Sequence, residues 1–222
     1  MSSSRSVLSR EARLLLASAD ARPKRNRDPA DLLSPELDWS KVHRLIHRER
    51  AAGPMWELLG PVRERLPGEF SKHLERLAAF EGLRQEQLLG KLEESLGALG
   101  AAGITPLLLK GAALVLTCYE DARERPMADI DLLVRPDEAE RARDVLLDSG
   151  WASAREKYPE EMYDRHYHQP PLVDEQRTGI EIEVHTGLLV PGHPFAFGPE
   201  DLRRRSREVE CGGATALVPD PR

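Results

Sequence analysis

The chain has 222 residues, enough for one domain with a helical extension or for two small domains with a real core. Apolar residues make up 40% and charged residues 32%, which is a soluble composition rather than a disordered one. The formal net charge of -6 excludes a duplex-binding surface spread over the whole protein, although a local basic groove stays open.

Cys118 and Cys211 are the two cysteines, and they are isolated, so no disulfide framework is expected. A reducing, cytoplasmic location fits this usage. The N-terminal apolar segment is too short and too charged for a signal peptide. No run approaches the roughly 18 apolar residues that span a bilayer, so no membrane partner is expected.

Residues 6–18 form a candidate amphipathic helix through Leu8, Leu15 and Leu16. Residues 22–29 are basic and proline-bounded, which suits a solvated linker or, alternatively, a phosphate contact. Asp38 is placed to cap a helix with Trp39, Val42, Leu45 and Ile46 on one stripe. Gly53-Pro54 breaks it, and Pro54 starts a helix with Met55, Trp56 and Leu59. At helical spacing the tryptophans read as core rather than as stacking platforms.

Pro67 opens the longest helical pattern. Phe70, Leu74, Leu77, Leu88, Leu92, Leu96 and Leu99 recur at steps that keep one face apolar. Gly82 and Gly90 are candidate kinks, and Gly100 and Gly103 supply a stop. Residues 1–100 are therefore expected to be a helical region, free of obvious chemistry but able to serve as a protein-interaction module.

The period changes at Ile104. Residues 104–109 suit a short buried strand, with Pro106 at its start. Residues 112–118 read as a helix and residues 130–134 as a second strand. Pro136-Asp137 starts a helix through Ala142 and Leu146 that Gly150 closes. A short strand at 151–154 follows, then an antiparallel pair at 165–172 and 180–188. Cys211-Gly212-Gly213 joins a terminal hairpin. No closing helix follows it, so a C-terminal truncation is expected.

The chemistry concentrates between Leu107 and Val134. Asp129 and Asp131 sit at i and i+2 on a predicted strand, so both carboxylates project from one face and Ile130 from the other. Two carboxylates about 4 Å apart repel by about 4 kcal/mol at an effective dielectric of 20, which a divalent cation would offset. Hard oxygen ligands beside phosphate suit Mg²⁺ or Mn²⁺. The alternative is a pair of solvated acids at a strand start. Lys110-Gly111 opens the helix after the preceding strand, where free N–H groups and a lysine suit an anion. The alternative there is a plain strand-to-helix turn. In residues 180–185, Glu181, Glu183 and His185 share one face of an alternating strand, and a glutamate there could be a third metal ligand or a general base. His166 and His168 share a face of the partner strand.

The residues LLLKGAAL, then Tyr119, then RPMADIDLLV, then EVH resemble the uncharacterised nucleotidyltransferase family found in bacterial genomes, within the DNA polymerase beta-type nucleotidyltransferase superfamily. The resemblance covers about residues 30–220 and is most specific from Leu107 to Val134. It implies an α+β fold, a nucleotidyltransferase-like mixed β-sheet flanked by helices. The N-terminal helical region, 1–100, would precede this domain, 101–222. It implies metal binding by Asp129 and Asp131, and an acidic third position at Glu183, with Glu181 as its rival. It also implies phosphate contacts from Lys110, Gly111 and Arg125. The activity it implies is Mg²⁺-dependent (or Mn²⁺-dependent) transfer of a nucleoside monophosphate from an NTP such as ATP to an unknown acceptor, with release of pyrophosphate. Lys-Gly stands where polymerases of the superfamily commonly have Gly-Ser, and the helical C-terminal part usual in the family is not evident. The rival readings are a catalytically degenerate nucleotide- or partner-binding protein, a metal-dependent hydrolase using His166, His168, His185 and the aspartates, and a helical interaction module at 38–100.

Overall fold

The computed structural model describes residues 8–19, 28–154, 163, 167–176, 178–190, 192–194 and 198–220. The chain sorts into two compact units, Met1–Gln85 with Tyr119–Pro126, and Glu86–Cys118 with Met127–Arg222. His166 and the basic residues at 22–27 lie outside the described residues.

The first unit is helical. Ser9 caps α1 (Arg10–Ser18) by accepting from Ala12 N. Leu14 is the α1 residue buried in the core, while Leu8 and Leu16 are 50% and 55% exposed. Of the expected stripe, Leu15 packs partly buried against this core, whereas Leu8 and Leu16 face solvent. Asp38 caps α2 (Trp39–Glu49) through Lys41 N, as its side chain predicted. The next helix, α3 (Ala52–Leu59), starts two residues before Pro54. Glu81 explains the early start, because its carboxylate accepts from Ala52 N at 3.0 Å and Gly53 N at 3.2 Å. A remote side chain caps this helix, which no local pattern signals. Leu14, Val42, Ile46, Met55, Leu59 and Leu74 form the centre of the core.

The 34-residue helix α4 (Gly68–Ala101) runs through Gly82 and Gly90 and contributes residues to both units. It ends in a Schellman arrangement. Gly103 takes φ 73°, Gly103 N donates to Gly100 O, and Ile104 N donates to Leu99 O at 2.9 Å.

The second unit is a seven-stranded mixed sheet with helices. In chain order its strands are β1 (Leu107–Leu108), β2 (Asp129–Leu133), β3 (Trp151–Ser153), β4 (Leu172–Asp174), β5 (Glu181–His185), β6 (Ser206–Cys211) and β7 (Ala214–Pro219). Among the described residues its longer helices are α5 (Lys110–Cys118), α6 (Ala139–Asp148) and a short α7 (Pro199–Arg204) that no sequence signal had placed. The sheet order is β3-β4-β5-β2-β1-β7-β6. β1 pairs antiparallel with β2 and parallel with β7, so it is an interior strand. Pro106 precedes it and only its carbonyl is used, accepting from Leu217 N. The terminal hairpin turns on Gly212 and Gly213, both at positive φ, as a two-residue turn of this twist requires.

The apolar face of α4 serves this unit too. Leu88, Leu92, Leu96 and Leu99 are fully buried. Trp151 Nε1 donates to Ser95 Oγ at 3.1 Å, and Lys91 Nζ pairs with Asp174 Oδ1 at 3.2 Å. These two contacts fix the C-terminal half of α4 against β3 and β4.

Candidate active site

Two parallel strands carry the acidic cluster. β2 and β5 pair in register, with Asp129 opposite Glu181 and Asp131 opposite Glu183. Ile130, Ile182 and Val184 fill the apolar face and are buried, so the acids occupy the other face. His185 lies two residues beyond Glu183 on the same face of β5.

Asp131 is the centre of the cluster and is 1% exposed. Its Oδ1 accepts from Lys110 Nζ at 2.6 Å and from His185 Nε2 at 2.8 Å. His185 Nε2 also lies 3.3 Å from Glu183 Oε2. The ligating atoms of Asp131, Glu183 and His185 all lie within 4.8 Å of one another. Tyr167 stacks on the His185 ring at 5.6 Å, and the His168 ring is tilted at 5.3 Å from it. An isolated bridge between His168 and His185 brings the two rings together.

The charges sort accordingly. Burial would raise the Asp131 carboxyl, but the bonds from His185 and Lys110 outweigh it and hold it below its ordinary value. The hydrogen bond from His185, set against burial, likewise holds Glu183 down. Burial opposes the charged form of His185, yet its bonds to Asp131 and Glu183 push its pKa up. Lys110 is raised too, with burial outweighed by Asp131. Asp129 differs, because burial first and the charge of Asp131 second push it up. Asp129, Asp131 and Glu183 thus share the neighbourhood of Lys110, His185 and His168.

Lys110 is the first residue of α5 and takes φ 45°, an uncommon conformation for a residue with a side chain. This backbone turn directs the chain from β1 into α5 while the ammonium reaches Asp131. Gly111 has a packing reason beside any role toward phosphate. A Cβ there would sit 2.8 Å from Met127 Cγ. Of the predicted site residues, Lys110, Asp129, Asp131 and Glu183 are coupled in one cluster, and Gly111 follows Lys110 in α5. Glu181 stands opposite Asp129, one pair back along β5. Arg125 belongs to the first unit, at the end of a 3₁₀ turn. Sequence reasoning gave His185 a role only in the hydrolase reading and passed over Tyr167. The signal for His185 was present in the strand alternation, whereas nothing local to Tyr167 marked it.

Asp131, Glu183 and His185 each offer a ligand atom, and these atoms lie within 4.8 Å of one another, so the cluster could hold a metal ion. The fold and the cluster define an α+β protein with an acid-rich site on adjacent parallel strands of a mixed sheet. A family model described as an uncharacterised nucleotidyltransferase matches residues 35–222, and the chain belongs to that family. No curated protein and no solved structure matches it. Among the described residues, no helix is long and apolar enough to cross a membrane.

Proposed function

We propose that the sheet unit moves a nucleoside monophosphate from an NTP to an acceptor hydroxyl and releases pyrophosphate. The observation that carries this reading is the β2–β5 register, which sets Asp131 beside Glu183 on the face that also bears Asp129. Asp129, Asp131 and Glu183 would hold Mg²⁺ or Mn²⁺. Such a cation, when bound, neutralises charge on the transferring phosphoryl and the departing pyrophosphate.

The chain's own residues supply the rest. His185 holds Asp131 and Glu183 ionised and oriented, which favours Glu183 as a cation ligand over a proton acceptor. Lys110 is 57% exposed at its side chain, so its ammonium can swing from Asp131 to a phosphate oxygen. The N–H groups of the first turn of α5, Gly111 among them, add an anion-binding helix start. In the step itself the acceptor oxygen bonds to the α-phosphorus. The bond from that phosphorus to the bridging oxygen breaks, and the acceptor's proton passes to a carboxylate of the cluster. The proposal rests on the sheet unit alone and gives Arg125 no part.

Calorimetric titration of the full chain with each NTP and Mg²⁺ tests the binding half of this reading. Lys110→Met is expected to weaken NTP binding by about tenfold, the loss of one charge-assisted contact. Unchanged NTP affinity in that variant would remove Lys110 from the site.

A further inference from the structure

A second cluster of ligating side chains lies in the helical unit, and the transfer chemistry makes no use of it. His43 and His47 stand one helical turn apart on α2, and His73 comes from the N-terminal part of α4. His43 Nε2 is 2.6 Å from His73 Nε2, and His47 Nε2 is 3.4 Å from the same atom. The three ligating nitrogens all lie within 4.8 Å of one another. The rings also contact one another, with centroids 4.4 Å apart for His43 and His73 and 4.5 Å apart for His43 and His47.

From this convergence we propose a tris-histidine site for a Zn²⁺-class cation, with one coordination position left open. Three considerations support it. Tetrahedral Zn²⁺ with Zn–N bonds of about 2.0–2.1 Å spaces its ligand nitrogens by about 3.3 Å. The His47–His73 spacing already matches that value, and the His43–His73 pair has to open by less than about 1 Å. The donors are three imidazoles, which select Zn²⁺, Co²⁺, Ni²⁺ or Cu²⁺ over Mg²⁺ and Ca²⁺. The backbones that carry them are anchored, because Val42, Ile46 and Leu74, neighbours of the histidines in sequence, are each 1% exposed.

His47 and His73 are exposed, so water or a small anion can reach the fourth position. A bound cation would tie α2 to α4 across the 25 intervening residues between His47 and His73 and stabilise the helical unit. The site is independent of Asp131, Glu183 and His185 in the sheet unit, and the two clusters differ in chemistry.

The test is titration of the EDTA-treated full chain with Zn²⁺, and with Co²⁺ as a spectroscopic probe. One tight Zn²⁺ equivalent, a tetrahedral Co²⁺ absorption band and a rise in Tm on Zn²⁺ addition are expected. In His73→Asn and in His47→Gln that affinity falls by more than about tenfold, as removal of a direct ligand exceeds the usual loss from an outer partner. His47 is exposed, so His47→Gln keeps the fold even if His73→Asn does not. Asp131→Asn runs in parallel and is expected to retain the tight equivalent. The proposal is overturned if the chain binds no tight Zn²⁺, if His47→Gln binds it as well as the parent, or if Asp131→Asn abolishes it.

Discussion

Asp131→Asn separates stability from cation binding. The substitution keeps the size and one acceptor oxygen of a side chain that is 1% exposed. The carboxylate accepts at 2.6 Å from Lys110 and at 2.8 Å from His185. Charge-assisted bonds contribute about 1.5–3 kcal/mol each, roughly twice a neutral bond. Neutralising the shared acceptor therefore costs about 2–3 kcal/mol across both. The Lys110 bond lies at the low end because solvent screens its 57%-exposed side chain. Against this, Asp131 and Glu183 present like charges within 4.8 Å, a repulsion of about 3.5 kcal/mol at an effective dielectric of 20. The two effects nearly cancel, so in EDTA the variant is expected within about 1 kcal/mol of the parent. The cation response does not cancel. At free Mg²⁺ about a hundred times its Kd, binding to the folded chain alone stabilises by about 2.7 kcal/mol. The assay is urea unfolding followed by circular dichroism, with EDTA and with Mg²⁺. The parent is expected to gain stability in Mg²⁺ and the variant almost none. Equal gains in both chains would refute the reasoning.

Two further predictions concern the scaffold. Leu92→Ala, on the fully buried face of α4, is expected to cost about 2–5 kcal/mol in denaturant unfolding, and a loss below about 1 kcal/mol would contradict the packing of α4 in the sheet unit. Glu11 is held down to about 2, chiefly by the Lys41 side chain, from an ordinary value of 4.5. A depressed carboxyl adds stability that is complete above 4.5 and is lost as pH falls from there toward 2. Glu11→Gln is expected to flatten acid unfolding in that window, and superimposable acid titrations of parent and variant would show that the Glu11–Lys41 pair is not formed.

Local signals carried the caps and turns well. Asp38, Gly103 and Gly212-Gly213 each act through their own backbone neighbourhood, so the elements they bound were legible. The alternation around Asp129-Ile130-Asp131 and along residues 180–185 also placed the acids on one face. What escaped depended on distant partners. The start of α3 needs Glu81, which lies 29 residues beyond Ala52 in the chain. The burial of Leu14 in place of Leu8 and Leu16 depends on where α1 meets α2 and α3. β1 shrinks to two residues because Lys110 bends the chain into α5, and its sheet neighbours β2 and β7 could not be read from its own sequence. The bond from His185 to Asp131 arises from strand register, which alternation alone does not fix.

Transfer of label tests nucleotidyl transfer most directly. The full chain is incubated with α-³²P-labelled NTPs, Mg²⁺ and a cell extract as the source of acceptor. The expected result is label bound covalently to an acceptor, with pyrophosphate released in equal amount, and loss of both in Asp131→Asn. Label that never leaves the nucleotide pool, or that Asp131→Asn transfers as fast as the parent, would contradict transfer at this site.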